Sequence, residues 1–194
     1  MRTLALAAMA VCVGWIVAAP AEARPWADPA GRFTADLPSG WAVTNRSTPT
    51  FTYVILGSAA NECHIVAQPN TVSASAAPRN VRYTAGQESL MDRDKWVQLA
   101  NSVSPLFPNN SAEYISHSVD SSGFWPVQRA ELRSPDGLVH AGMQIRPGID
   151  IFAYCMTYSG DDPVETYNAF ISSLGHTNDA QWRAEIEAAA PAAQ

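Results

Sequence analysis

The chain has 194 residues, with 12 Lys and Arg against 18 Asp and Glu, so its formal net charge is −6. Its length is that of one domain. An acidic chain without basic runs lacks the phosphate-binding cations on which nucleic-acid binding depends, and anionic lipid surfaces repel it. We therefore expect neither nucleic acid nor a lipid surface as its partner.

The first residues have the pattern of a cleaved export signal. A basic start is followed by the uncharged apolar run Leu4–Ala19, and Ala21 and Ala23 match the A-x-A pattern before a cleavage site. The run is shorter than the about 20 residues of a membrane-spanning helix. The sequence thus predicts a signal at 1–23 and a periplasmic or secreted mature chain without a stable membrane anchor. A retained N-terminal anchor is the alternative.

Two cysteines follow the predicted signal, Cys63 and Cys155. In an oxidising compartment, a disulfide between them is the simplest interpretation. A redox-active pair is disfavoured because such thiols usually form C-x-x-C. A metal site is disfavoured because neither cysteine has a second ligand at zinc spacing. We predict a disulfide, no metal and no cofactor.

Alternating apolar and polar residues, and short runs rich in β-branched and aromatic residues, predict a series of strands. The predicted strands span 31–37, 41–43, 51–56, 63–67, 114–119, 125–133, 139–145 and 149–158. The last is apolar on both faces, which favours a place inside the sheet and puts Cys155 in the core.

The helix predictions concern three further segments. After a mobile loop at 68–80, a capping box at Thr84 and Gln87 predicts a helix that ends before Pro105. Asp162 is predicted to cap a helix at 163–174, with Pro163 at its first position. A short helix at 180–190 is expected within a C-terminal tail, 177–194, whose end frays.

The order of the predicted elements indicates one α+β domain over 24–176. Strands come first, then a helix, then a β-meander and a second helix. The segment 31–41, G-R-F-T-A-D-L-P-S-G-W, resembles the start of PsbP/Mog1-type domains, and the strand at 153–156 followed by the helix at 165–174 is similar to their end. The resemblance implies an α/β/α sandwich, a mostly antiparallel sheet packed by helices, and an accessory, binding or assembly role. It transfers no catalytic residues.

His117 and His140 are weak acid–base candidates, each with Asp120 or Glu131 as a carboxylate partner. The patterns Gly-x-Ser-x-Gly and Ser-x-x-Lys, typical of hydrolase nucleophiles, are absent, as is a glycine-rich phosphate loop. A structural role is favoured for each histidine because no second ligand follows it two or four residues later in the chain. The sequence therefore predicts no catalytic residue.

Two apolar pairs are candidates for contact with a ligand or partner. Leu106 and Phe107 lie between prolines on a loop, and Phe124 and Trp125 follow Gly123. Each pair is either part of the core or an exposed contact surface. The sequence favours an exported, non-enzymatic domain that binds an envelope protein or a small ligand. The alternatives are a hydrolase or transferase that uses the histidines, and an assembly factor or inhibitor that acts through an exposed apolar loop at Leu106 and Phe107.

Overall fold

The computed structural model describes residues 23–48 and 51–189, so the export signal predicted for 1–23 lies outside the described residues, save Ala23. Within them the strands β1 to β9 are, in chain order, Arg24–Ala27, Thr34–Leu37, Ala42–Asn45, Thr52–Gly57, Asn61–Pro69, Glu113–Asp120, Val127–Ser134, Gly137–Arg146 and Ile149–Thr157. The helices α1 to α5 are Thr71–Ala74, Pro78–Ala85, Arg93–Val103, Val164–Ser173 and Asp179–Ala188. No helix in the described ranges is both long enough and apolar enough to cross a membrane.

Seven strands form one antiparallel sheet in the order β3-β4-β5-β9-β8-β7-β6, and β1 pairs with β2 in a separate ribbon. The central position of β9 agrees with its apolar residues on both faces. The segment predicted as a strand at 31–37 thus contributes β2 to the ribbon and not to the main sheet.

Helices cover both faces of the sheet. On one face α4 packs on β8 and on the ribbon strand β2, with Tyr167, Phe170 and Ile171 buried in the core. On the other face α2 and α3 pack on β8 and β6, with Val81 and Trp96 buried. The structure confirms an α+β domain with the expected α/β/α layers.

The predicted disulfide joins the two central strands. Cys63 of β5 and Cys155 of β9 are directly opposite each other, are bonded, and are fully buried beneath α4.

The predictions for 68–103 are wrong in two places. The segment predicted as a mobile loop contains α1 and the start of α2, because the Asn70 side chain accepts hydrogen bonds from two backbone N–H groups and caps α1. The helix predicted to begin at Thr84 is interrupted. Thr84 lies inside α2, which ends at Ala85 with Gly86 as its C-cap. Helix α3 begins after Asp92, whose carboxylate accepts from the Lys95 N–H at 2.9 Å. The predicted capping box is therefore wrong.

The start of α4 also differs from the prediction. Pro163 occupies the N-cap position without a side-chain bond, and the helix begins at Val164. The Asp162 carboxylate instead accepts from Thr157 Oγ1 at 3.2 Å and pairs with His140 Nε2 at 2.7 Å. Asp162 therefore anchors the loop to the sheet and does not cap the helix.

Helix α5 packs onto the rest of the domain. Trp182 of α5 is buried, stacks on His176 with ring centroids 4.8 Å apart, and meets Trp125 edge to face at 6.3 Å. The segment predicted as a tail thus contributes a packed helix, and its Ala/Pro end from residue 190 lies outside the described residues.

Candidate functional site

A groove of about 660 Å³ lies beside α4, where three loops meet the helix. We call it the α4 groove. Its lining comes from the β2–β3 turn, the β4–β5 turn, the loop before α4 and one side of α4: Ala23, Asp36, Pro38, Ser39, Trp41, Ala60, Asn61, Ser159, Asp161, Pro163, Thr166, Ala169, Phe170 and Ser173. Its volume falls in the range of small-molecule and peptide-side-chain sites, about 300–1,000 Å³.

Two aromatic rings form the apolar part of the groove. Gly40 has a positive φ of 79°, which glycine adopts without strain, and this closes a turn in which the Trp41 N–H donates to the Pro38 carbonyl. The turn places the Trp41 ring 5.7 Å from the ring of Phe170. Both rings are buried in the core, Trp41 at 9% and Phe170 at 1% exposure, so they fix the floor of the groove and present little surface to a ligand.

Hydrogen bonds fix the polar side of the groove. The Asp36 N–H donates to Ser173 Oγ at 2.9 Å, which ties β2 to the end of α4. Asn61 Nδ2 donates to the Tyr167 hydroxyl at 3.3 Å, and that hydroxyl shares a bond of 2.7 Å with Thr157. Burial raises the pKa of Tyr167, so its hydroxyl stays neutral and able to donate.

The charges around the groove are negative. Asp36 and Asp161 line it, and among its lining residues there is no Lys, Arg or His. Carboxylates with no cation among the other lining residues suit a positively charged group.

Comparisons with known proteins identify the fold. No family model and no curated protein matches the chain. Its structure is similar to the solution structure of cyanobacterial PsbP (CyanoP) from Synechocystis sp. PCC 6803, with a TM-score of 0.51 and 14% identity over 87% of this chain and 98% of that chain. The chain has a PsbP-like fold. A crystal structure of a Bacteroides thetaiotaomicron protein is also similar, with a TM-score of 0.46 and 11% identity over 82% of this chain and 50% of that chain.

The PsbP-like fold confirms what the sequence resemblance implied about architecture. Identity at this level establishes the fold alone, so the function of this PsbP-like domain has to be argued from its own residues.

A second, smaller cavity of about 210 Å³ lies on the α4 face over β6, β7 and β8. Glu131 and His140 are directly opposite each other in neighbouring strands, and both line this cavity. His140 Nε2 pairs with Asp162 Oδ2 at 2.7 Å, and Ser116 Oγ donates to Glu131 at 3.3 Å. His140 is thus bonded to one carboxylate and is directly opposite a second in the neighbouring strand, although it is only 5% exposed.

The other proposed acid–base residues are bonded elsewhere. His117 also lines the second cavity of this PsbP-like domain, but its ring bonds the Tyr114 hydroxyl at 2.7 Å. Asp120 accepts from Ser122 and Arg129, and chiefly the Ser122 bonds lower its pKa. Among residues 23–48 and 51–189, no three His, Cys, Asp or Glu side chains come together as a metal site.

The apolar pair Leu106 and Phe107 is buried. Leu106 is 6% exposed and Phe107 is 2% exposed, and the Phe107 ring meets Tyr154 edge to face at 6.1 Å. The expectation of an exposed apolar loop at this pair is therefore wrong, because the loop packs its side chains into the core between α3 and the sheet.

Phe124 and Trp125 contact cationic side chains of the domain itself. The guanidinium carbon of Arg82 lies 4.6 Å from the centre of the Phe124 ring, and that of Arg183 lies 4.2 Å from it. The guanidinium carbon of the buried Arg146 lies 4.4 Å from the centre of the Trp125 ring. These contacts hold α2 and α5 to the end of the sheet.

No sequence pattern singles out the residues of the α4 groove. Trp41 is predicted only as the start of a strand, and Phe170 only as part of a helix. The P-S-G-W turn was a usable signal, since a turn that ends in Trp places a large ring at a strand end.

Proposed function

We propose that the protein is an exported, non-enzymatic accessory domain that binds an envelope protein or a small ligand in the α4 groove. The observation that carries this proposal is a cavity of ligand size that two carboxylates line, with its floor fixed by the buried rings of Trp41 and Phe170. The PsbP-like fold and the disulfide are compatible with an exported protein. The groove favours a ligand or partner segment that presents a cationic group, such as a Lys or Arg side chain.

The test compares two single variants, each of which replaces an exposed helix alanine by lysine. Ala169→Lys puts a long cation into the groove, and Ala184→Lys puts the same side chain on α5, outside the lining residues. Tagged wild-type and variant proteins are cross-linked in the envelope of the source cells, and native and proteomic mass spectrometry identify what is bound.

We expect at least one ligand or protein to be recovered in equal amounts with the wild type and with Ala184→Lys. The amount recovered with Ala169→Lys should be lower by about tenfold or more. If Ala169→Lys retains the same molecules at the same level, the α4 groove is not the binding site.

A second candidate function is hydrolysis or group transfer at His140, favoured by its bond to Asp162 and by the position of Glu131 directly opposite it in the sheet. A histidine held by a carboxylate within hydrogen-bond reach can move a proton. The assay is hydrolysis of aryl esters and aryl phosphates by the wild type and by His140→Gln. Turnover that His140→Gln abolishes supports catalysis, and equal rates remove this candidate.

A further inference from the structure

Two adjoining cavities lie on the face of the sheet opposite the α4 groove, between α1, α2, α3 and the β8–β9 turn. Their volumes are about 220 and 410 Å³, and Asn70, Leu90 and Ile145 line both. We call them together the Asp150 groove. The remaining apolar side chains of its lining are Val72, Ala76, Val81, Met91, Leu99, Met143 and Phe152.

Asp150 places a carboxylate in this apolar setting. It is directly opposite Ile145 in the β8–β9 pair, and both residues line the larger cavity. Its two oxygens each accept from Asn70 Nδ2 at 3.0 Å. The Asn70 amide oxygen accepts from the N–H groups of Val72 and Ser73, so the amide is held in place from both ends.

The partner of the carboxylate is thus a neutral amide. In the part of the chain that the structure describes, no Lys, Arg or His nitrogen lies within ion-pair distance of Asp150. Lys95 of α3 lines the same cavity, but its Nζ donates to the carbonyls of Ser89 and Leu90 and lies 3.5 Å from Asp92.

A carboxylate in such a setting destabilises the empty protein. Burial raises the pKa of Asp150, and the bond from Asn70 offsets this only in part. A partly buried charge without a counter-ion costs free energy that a bound cation recovers. The site therefore selects for positive charge, while its walls select for an aliphatic chain.

We propose that the Asp150 groove binds an aliphatic primary amine, with its ammonium group on Asp150 and its chain between Leu90 and Ile145. The ammonium donates three hydrogen bonds, and the Asp150 oxygens keep acceptor capacity beyond the two bonds from Asn70. Each methylene group buried against the apolar walls raises affinity about fourfold. This site is separate from the α4 groove and does not depend on the function proposed there.

The experiment is isothermal titration calorimetry of the full mature protein at neutral pH with n-butylamine, n-hexylamine and n-octylamine. 1-Octanol and octanoate serve as probes with the same chain and a different head group. We expect affinity to rise with amine length, octanol to bind at least tenfold more weakly than octylamine, and octanoate not to bind.

Two variants locate the site. Asp150→Asn keeps the shape and removes the charge, and we expect it to weaken octylamine binding at least tenfold. Asp94→Asn removes the same charge from an exposed position of α3 outside the groove and should bind as the wild type does. Equal affinity of Asp150→Asn and the wild type, or an equal loss in both variants, would overturn the proposal.

A measurement on the wild type avoids dependence on the folding of Asp150→Asn. Nuclear magnetic resonance of the Asp150 carboxyl carbon follows its titration with and without octylamine. Because the ammonium stabilises the charged form, the pKa of Asp150 should fall when the amine binds. An unchanged titration in the presence of saturating amine would contradict the assignment.

Discussion

His64 is a buried histidine whose titration should make stability depend on pH. It is 2% exposed, its Nδ1 bonds the Tyr53 hydroxyl at 2.6 Å, and its Nε2 pairs with Glu62. Burial lowers the pKa of His64, and Glu62 opposes this only in part. The folded state therefore favours the neutral ring. The neutral His64 ring contributes fully to stability above the pKa of histidine in the unfolded chain, about 6.5. This contribution is lost as the pH falls towards the lower pKa of His64 in the folded protein.

We therefore expect the free energy of unfolding to fall on acidification below about pH 6.5, by up to about 1.4 kcal/mol per pH unit for this one group. Urea denaturation between pH 8 and pH 5 measures the slope. His64→Gln should make this pH dependence shallower. His176→Gln should also make it shallower, because burial lowers the pKa of His176 as well. A wild-type slope in His64→Gln would show that another group is responsible.

Helix α4 lies so close to the sheet that Gly142 of β8 has no room for a side chain. A Cβ at Gly142 would lie 2.2 Å from Ile171 Cγ2, and Ile171 is fully buried. Gly142→Ala should therefore lower the free energy of unfolding by about 1–3 kcal/mol through overpacking. Urea denaturation measures the loss. Gly123→Ala is the matched control, since the nearest atom to its added Cβ is 3.6 Å away, and an equal effect in both variants would rule out the packing explanation.

The strands of the meander and the helix α4 were predictable because their signals are local. Alternation of apolar and polar residues along β8 and the proline that precedes α4 each act over a few residues. The prediction for 68–103 is wrong because the Asn70 cap and the end of α2 before Gly86 outweigh the capping-box pattern at Thr84 and Gln87.

Both proposed binding grooves depend on packing between distant segments, which no periodicity reveals. Trp41 meets Phe170, and Asn70 meets Asp150, only once the sheet has formed. One signal was available: Asp150 is the one charged residue within the otherwise apolar β9. A charge in a central strand generally needs a partner, so it marks a site to examine.

The disulfide joins the two halves of the whole sheet. It links β5 to β9, the central pair, and closes a loop of 92 residues that contains α1, α2 and α3 as well as β6 to β8. Strands β3 to β5 lie on one side of this bond and β6 to β8 on the other. The bond therefore adds a covalent link to the antiparallel pairing by which these two strands, far apart in sequence, already contact each other.

Removing that bond should cost much of the total stability. Loop-closure entropy for 92 residues corresponds to about 4–5 kcal/mol, a large share of the about 5–15 kcal/mol typical of a domain. We expect the double variant Cys63→Ala/Cys155→Ala to have a free energy of unfolding about 4–5 kcal/mol below that of the wild type, and so to unfold at a lower urea concentration. Dithiothreitol should bring the wild type to the same midpoint and leave the variant unchanged. A double variant within about 1 kcal/mol of the wild type would mean that the core alone, not the covalent bond between β5 and β9, holds the two halves of the sheet together.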